Sequence, residues 1–136
     1  MIKIKIYTVG KTKESWLEVA LAEYHKRLTG EMTIEWVISK ELQPVKENFY
    51  ICLDPQGQQY SSPDFANFLE KESVRSGAKL TFVIGGPEGI PDEIKAKASH
   101  LISFSKLTFT HQIARLILLE QLYRSIQIQR GTQYHK

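Results

Sequence analysis

Residues 80–89 read Leu80-Thr81-Phe82-Val83-Ile84-Gly85-Gly86-Pro87-Glu88-Gly89, five strand-forming residues that break into a glycine turn. An apolar run of that length bounded by glycine suits the centre of a parallel sheet, buried on both faces. The paired glycines fall at its carboxyl end, where open α/β sheets bind ligands. They leave bare backbone against which a flat or anionic molecule can lie. Proline beside glycine sets one sharp turn.

Strand and helix alternate on either side of this run. Ile2 to Val9 reads as a strand ending at Gly10. Ser15 with Glu18 has the form of a capping box, opening a helix whose inner stripe is Trp16, Ala20, Tyr24 and Leu28 and which closes near Gly30. Thr33 to Ile38 and Phe49 to Leu53 are two more strands. Ser62-Pro63-Asp64 starts a helix with Phe65, Phe68 and Leu69 on its buried face and Gly77 at its end. Beyond the glycine turn, Pro91-Asp92-Glu93 opens a helix to about His100. Leu101 to Phe104 is a short strand, Ser105 to Thr110 a loop, and His111 to about Ile128 a long last helix. The alternation predicts an α/β fold: one domain over residues 1–136, with helices flanking a mainly parallel sheet.

The bulk numbers narrow the function. With 136 residues, 42% hydrophobic and 24% charged, the chain has the composition of a globular domain, and no apolar run is long enough to span a bilayer. The alternating start, Met1-Ile2-Lys3-Ile4-Lys5-Ile6, reads as a strand and not as a signal peptide, which makes the cytoplasm the expected compartment. Cys52, the one cysteine, lies in an apolar run and reads as a core thiol. The net charge of +3 permits nucleic acid, but the basic residues are scattered, so the fold or a dimer must gather them. Ile113, Leu116, Ile117, Leu118, Leu119, Leu122, Tyr123 and Ile126 cover more than one face of the last helix. That predicts a sheet on one side and a second copy of the chain on the other.

Several chemistries are excluded by pattern. The glycine turn lacks the G-K-[ST] ending of a phosphate loop and is not G-x-G-x-x-G. No metal is expected, because His25, His100, His111 and His135 show no ligand spacing. Nor is there a G-x-S-x-G elbow. Three loops remain, each following a strand: Asp54-Pro55-Gln56-Gly57, Gly85 to Gly89, and Ser105-Lys106-Leu107-Thr108-Phe109-Thr110. Singly each reads as a turn. Together they predict a pocket of backbone amides and carbonyls with few charges, suited to an adenine and a sulfonium better than to a triphosphate. Glu120 and Arg124 stand at i, i+4 amid leucines, as either a surface pair or a partly buried one, and His111 and Arg115 repeat the spacing. The tail, Arg130-Gly131-Thr132-Gln133-Tyr134-His135-Lys136, interleaves cations with aromatic rings, a composition that suits stacking on an unpaired base.

Taken in order, Val9-Gly10-Lys11, Glu23-Tyr24 with Lys26-Arg27, Leu53-Asp54, Ile84 to Gly89, Leu107-Thr108 with His111 and Arg115, Glu120 with Leu122-Tyr123-Arg124, and Tyr134-His135 resemble a known family from end to end. It is the bacterial large-subunit rRNA methyltransferase H family, pseudouridine N3-methyltransferases of the SPOUT superfamily. The resemblance implies a trefoil-knotted α/β fold, a homodimer, and S-adenosylmethionine bound in the knot. It also implies methylation of N3 of a pseudouridine in the intersubunit-bridge hairpin of 23S rRNA on the assembled ribosome. Carried over by position, the cofactor contacts are Leu53, Gly86, Ser105, Lys106, Leu107, Thr108, Phe109 and Thr110. Glu120, Arg124, Tyr134 and His135 fall at the catalytic positions, with His111, Arg115, Arg130 and Lys136 toward RNA.

Three departures qualify it. Residues 39–48 are short where the family carries a helix, Thr110 replaces a proline and should loosen its loop, and Thr132-Gln133 replaces His-Pro. The shortening supports an alternative, a non-catalytic rRNA- or ribosome-binding protein that keeps the fold. A flavodoxin-like nucleotide binder explains the alternation but not the last helix or the tail. Among Glu120, His111 and His135 the sequence leaves open which, if any, takes the N3 proton.

Overall fold

The computed structural model describes residues 1–135. Nine elements follow in order: β1 (Ile2–Val9), α1 (Ser15–Leu28), β2 (Met32–Ser39), β3 (Ile51–Gln59), α2 (Ser62–Arg75), β4 (Lys79–Ile84), α3 (Asp92–Lys97), β5 (His100–Ser103) and α4 (His111–Arg130). The five strands form one sheet in the order β2-β1-β4-β3-β5, and every pairing is parallel. Residues 80–84 do lie at its centre, between β1 and β3.

Two-residue periodicity divides the core. Ile4, Ile6, Leu80, Phe82, Ile84, Ile51 and Ile102 point to one face, where α1, α2 and α4 cover them. Tyr7, Val83, Tyr50 and Cys52 point to the other, packed with Ile90, Ile94, Leu42 and Val45. That second face has only the six-residue α3 and the non-helical segment 40–48 as a roof. The segment is tied down by Glu47, which accepts hydrogen bonds from Lys5 (2.9 Å) and the Tyr7 hydroxyl (2.7 Å). The Cys52 thiol is buried, and burial pushes its pKa up to about 12, which keeps it protonated and inert.

Several boundaries differ from the sequence reading. In α1 the buried residues are Leu17, Leu21 and Leu28, while Trp16 is 55% exposed. Leu28 is buried as predicted and Tyr24 packs partly against the core, but Leu17 and Leu21 take the places predicted for Trp16 and Ala20, which turns Trp16 outward. The capping box does not form: Glu14 occupies the cap position, its carbonyl accepting from Leu17 and Glu18. The helix begun by Pro91 stops at Lys97, because residues from His100 onward are drawn into the sheet beside β3.

The third strand does not end at Leu53. It continues to Gln59 through a bulge at 54–57, pairing with β5 on both sides of it. So the expected Asp54–Gly57 loop is an irregularity within a strand. Gly57 makes it possible, since a Cβ there would lie 2.5 Å from the Leu101 carbonyl carbon and 2.6 Å from the Ile102 nitrogen. Gly57→Ala must therefore push β5 off the sheet edge. We expect a loss of about 1–3 kcal/mol in urea denaturation, with the slope of the transition unchanged.

Candidate functional site

The carboxyl ends of β1, β3, β4 and β5 surround one cavity of about 1060 Å³. This is where a parallel sheet whose strand order reverses opens a crevice. Leu53 and the bulge form one wall, Gly85 to Ile90 a second, and Phe104 with Ser105 and Leu107 to Thr110 a third. Lys13, Glu14, Trp16 and Leu17, from the β1–α1 connection, make a fourth that the sequence reading missed. Its signal was Gly10 at the end of a strand, the same signal that marked the glycine turn.

The glycine turn is tight. The Gly89 amide donates to the Gly86 carbonyl at 2.9 Å, and Gly89 takes a positive φ of 82°. A Cβ on Gly85 would meet the Gly89 carbonyl carbon at 2.6 Å, and one on Gly86 would reach Val9 at 3.4 Å. The turn thus folds back on itself and presents backbone to the cavity. Thr110 does not loosen its loop as expected from the missing proline. Its hydroxyl caps α4, accepting from the Ile113 amide at 3.2 Å, a cap worth about 1 kcal/mol. Ser105 pins the same loop, its Oγ accepting from the Leu107 amide at 3.0 Å. Lys106 is exposed and lies outside the cavity lining. Asp54 pairs with Lys95 at 3.3 Å across one corner of the cavity.

A second polar assembly lies further along α4, and none of its members lines this cavity. Glu120 accepts from Arg124 Nε (3.2 Å) and Gln121 Nε2 (2.9 Å) on one oxygen, and from Arg124 Nη2 (2.9 Å) and the Tyr134 hydroxyl (2.7 Å) on the other. Four donors occupy the carboxylate, so Glu120 holds its neighbours in place. Arg124 Nη1 lies 3.0 Å from His135 Nδ1, and its guanidinium stacks over the Tyr134 ring. Burial, then the Tyr24 hydroxyl and the Glu120 carboxylate, push the Tyr134 phenol above its ordinary range. Tyr123 meets Tyr134 edge-on at 4.9 Å, and Arg27 lies over both Tyr24 and Tyr123. Tyr24 and Arg27 belong to this group by contact, though sequence reasoning gave them no site role.

Helices α1 and α4 run side by side in the same direction. Gln112 and Arg115 touch the loop before α1, while Tyr123 touches Tyr24 and Arg27 near its end. The cavity lies at one end of the pair and the Glu120 group at the other. Ala114 is the last lining residue of α4, and Glu120 follows six residues later, about 9 Å along the axis. One copy of the chain therefore keeps its two polar sites apart.

The RNA-facing expectations divide. His111 lines the cavity. Arg130 is exposed and paired with Glu31, and Lys136 lies outside the described residues. Arg115 is a correction: it is 0% exposed and cannot touch a phosphate. Its guanidinium donates to the carbonyls of Val9 (2.8 Å) and Gly10 (2.5 Å) and to the Thr12 hydroxyl (3.0 Å). The i, i+4 spacing that paired it with His111 marks one end of α4, but Arg115 points inward against the strand end. Among the described residues no group of His, Cys, Asp and Glu could hold a metal, and no helix is long and apolar enough to cross a membrane.

A family model described as "Predicted SPOUT methyltransferase" matches residues 2–135. A relative from Protochlamydia amoebophila, called ribosomal RNA large subunit methyltransferase H, is 50% identical over 141 residues covering all of both chains. Relatives of the same description are 38% identical in Streptococcus gordonii, over 159 residues, and 39% in Coprothermobacter proteolyticus, over 139. Each covers 99% of this chain and all of the relative. The solved structure of a probable methylase family protein from Haemophilus influenzae matches 98% of this chain and 70% of its own, with a TM-score of 0.62. At 10% identity that match speaks for the fold alone.

The Arg115 contacts give a direct test. A lysine carries all its donors on one nitrogen and cannot reach acceptors that Arg115 serves from two, so Arg115→Lys leaves buried carbonyls unpaired. We expect it to lower stability by roughly 2 kcal/mol or more, read as a fall in the urea midpoint. Arg130→Lys, at the surface, should change stability by less than about 0.5 kcal/mol.

Proposed function

The chain belongs to the SPOUT methyltransferase family, and from that premise we propose that it methylates large-subunit rRNA as a homodimer, taking the methyl group from S-adenosylmethionine. The acceptor is N3 of a pseudouridine in the intersubunit-bridge hairpin, reached on the assembled ribosome in the cytoplasm. The observation that carries this reading is the separation of the two polar sites along one helix pair. A two-fold partner laid antiparallel on α1 and α4 would bring the Glu120 group of one copy to the cavity of the other. Trp16 (55% exposed), Val19 (71%) and Leu107 (72%) supply unpaired apolar surface at the cavity end for such a contact.

The cavity fits the methyl donor. Its size suits a nucleoside bearing an amino-acid chain, its walls are largely backbone and apolar side chains, and the glycine turn folds back tightly enough to line it. When bound, the donor supplies a methyl group activated on a sulfonium. The chain's own residues do the remaining work by alignment. Gly86, Leu107 and Thr110 shape the donor's seat. Tyr134, His135 and Arg124, held rigid by Glu120, offer rings and cations to a flipped-out base and its phosphates. With the donor bound, these residues would hold a deprotonated N3 in line with the methyl group, which the sulfonium would release with the bonding electron pair left on sulfur.

The non-catalytic alternative leaned on the short segment 39–48. A Coprothermobacter relative described as a methyltransferase aligns in full within 139 positions, so a short chain is no sign of lost activity.

Primer extension across the bridge hairpin in a strain lacking this gene, with the gene restored, tests the reaction. An unmodified hairpin after restoration would sink it. Subunit mixing tests the shared site. Gly86→Val and Tyr134→Phe proteins should each be nearly inactive alone. Unfolded and refolded together they should regain about a quarter of wild-type activity, from mixed dimers carrying one complete site.

A further inference from the structure

His111 and Gln112 open α4 at the rim of the cavity, and the hydrogen bonds around them determine which ring nitrogen carries a proton. The Gln112 amide is oriented twice over. Its Oε1 accepts from the Lys13 amide at 3.2 Å, and its Nε2 donates to the Lys11 carbonyl at 3.1 Å. Flipping the amide would set N–H against N–H and oxygen against oxygen. The same Nε2 lies 3.3 Å from His111 Nε2. Because that amide nitrogen only donates, the ring nitrogen facing it accepts and carries no proton. Nδ1 is then the protonated nitrogen of a neutral ring, and it has no partner among the described residues.

The surroundings keep the ring neutral. Burial, then the cations Arg115 and Lys13, hold the His111 imidazole below its ordinary range. Lys11 adds positive charge from the same loop, and no carboxylate bonds to the ring among the described residues. His135 is bound in a parallel way. Its Nδ1 faces a guanidinium, which can only donate, so that nitrogen is the acceptor. Four donors occupy Glu120. Each of the three candidate bases has its acceptor atoms facing a donor.

We propose that His111 is a catalytic hydrogen-bond donor, offering Nδ1–H to a carbonyl oxygen of the substrate's imide anion, and is not the base that forms that anion. The inference rests on the methyl-transfer reading above. The N3 proton passes to water or hydroxide. The imide's negative charge, shared between N3 and its flanking carbonyl oxygens, is stabilised by the His111 N–H. The nitrogen lone pair then takes the methyl group. A neutral donor suits this step, because an imidazolium would tend to return its proton to the anion.

Three variants and one spectrum decide it. Asparagine can place an amide N–H near the Nδ1 position, so His111→Asn should keep single-turnover methylation within about tenfold of wild type. His111→Ala should lose about a hundredfold, the scale of one oxyanion donor. Gln112→Leu, which frees Nε2 to take a proton, should fall between them. Calorimetry should show the His111→Asn and His111→Ala variants binding S-adenosylmethionine alike, so that a difference between their rates is not a difference in donor binding. The wild-type rate should climb with pH toward the ionisation of the imide, with no limb near neutrality, and His111→Asn should keep that shape. Nitrogen NMR of labelled histidine should show the Nδ1–H form at pH 7, with or without donor. An imidazolium or Nε2–H signal at His111 overturns the proposal. So does an alanine variant as active as wild type, or an asparagine variant as slow as alanine that has lost a limb seen near neutrality. Failure of the wild type to methylate rRNA would instead strike the methyl-transfer reading and leave the tautomer measurable.

Discussion

The buried guanidinium of Arg115 holds the active end of the molecule together. Among the described residues it has no carboxylate partner. Its Nη1 donates to the Thr12 hydroxyl and its Nη2 to the Val9 and Gly10 carbonyls at the end of β1, while the buried Nε has no partner among the described residues. Such a cation is expensive to bury, and what it secures is a junction. With α4 fixed to the β1–α1 loop, Val9 stands against Gly86, Gln112 reaches Lys11 and Lys13, and Gln112 sets the ring of His111. Each of these contacts presupposes the one before it.

The same helix pair imposes a division of labour. Its cavity end is glycine, backbone and apolar surface, with a few charges at the rim. Its far end is a dense network of Arg, Tyr, Glu and His. The donor pocket needs shape and little charge, whereas RNA needs cations and rings. Separating them along two helices lets each develop its own electrostatics, and the proposed dimer reunites them.

Much of this was legible in the chain. The strand at 80–84, its glycine turn and the long apolar last helix follow from local periodicity, and the fold depends on them. What misled was information that is not local. Trp16 begins a helical stripe as plausible as the one at Leu17, and only packing on the sheet selects between them. Asp54 to Gly57 carries every mark of a turn, yet Gly57 allows β5 to pass close enough for β3 to resume its pairing. Arg115 has the sequence context of a surface cation and is the most deeply placed charge described. Nothing nearby in sequence announces that carbonyls more than a hundred residues earlier will receive it.

That separation has a consequence for how the protein is made. The Arg115 contacts join residues 103 to 106 positions apart, and α4 is the last element of the chain. The strand pairs bring their own long loops, with β1 waiting for β4 to complete its second edge. During synthesis the first strand and helix emerge long before the element that locks them, so the donor cavity cannot exist on a nascent chain. Until α4 clears the exit tunnel, the apolar faces of α1 and the sheet lack their cover. Any truncation before α4 leaves a product with strands and no site.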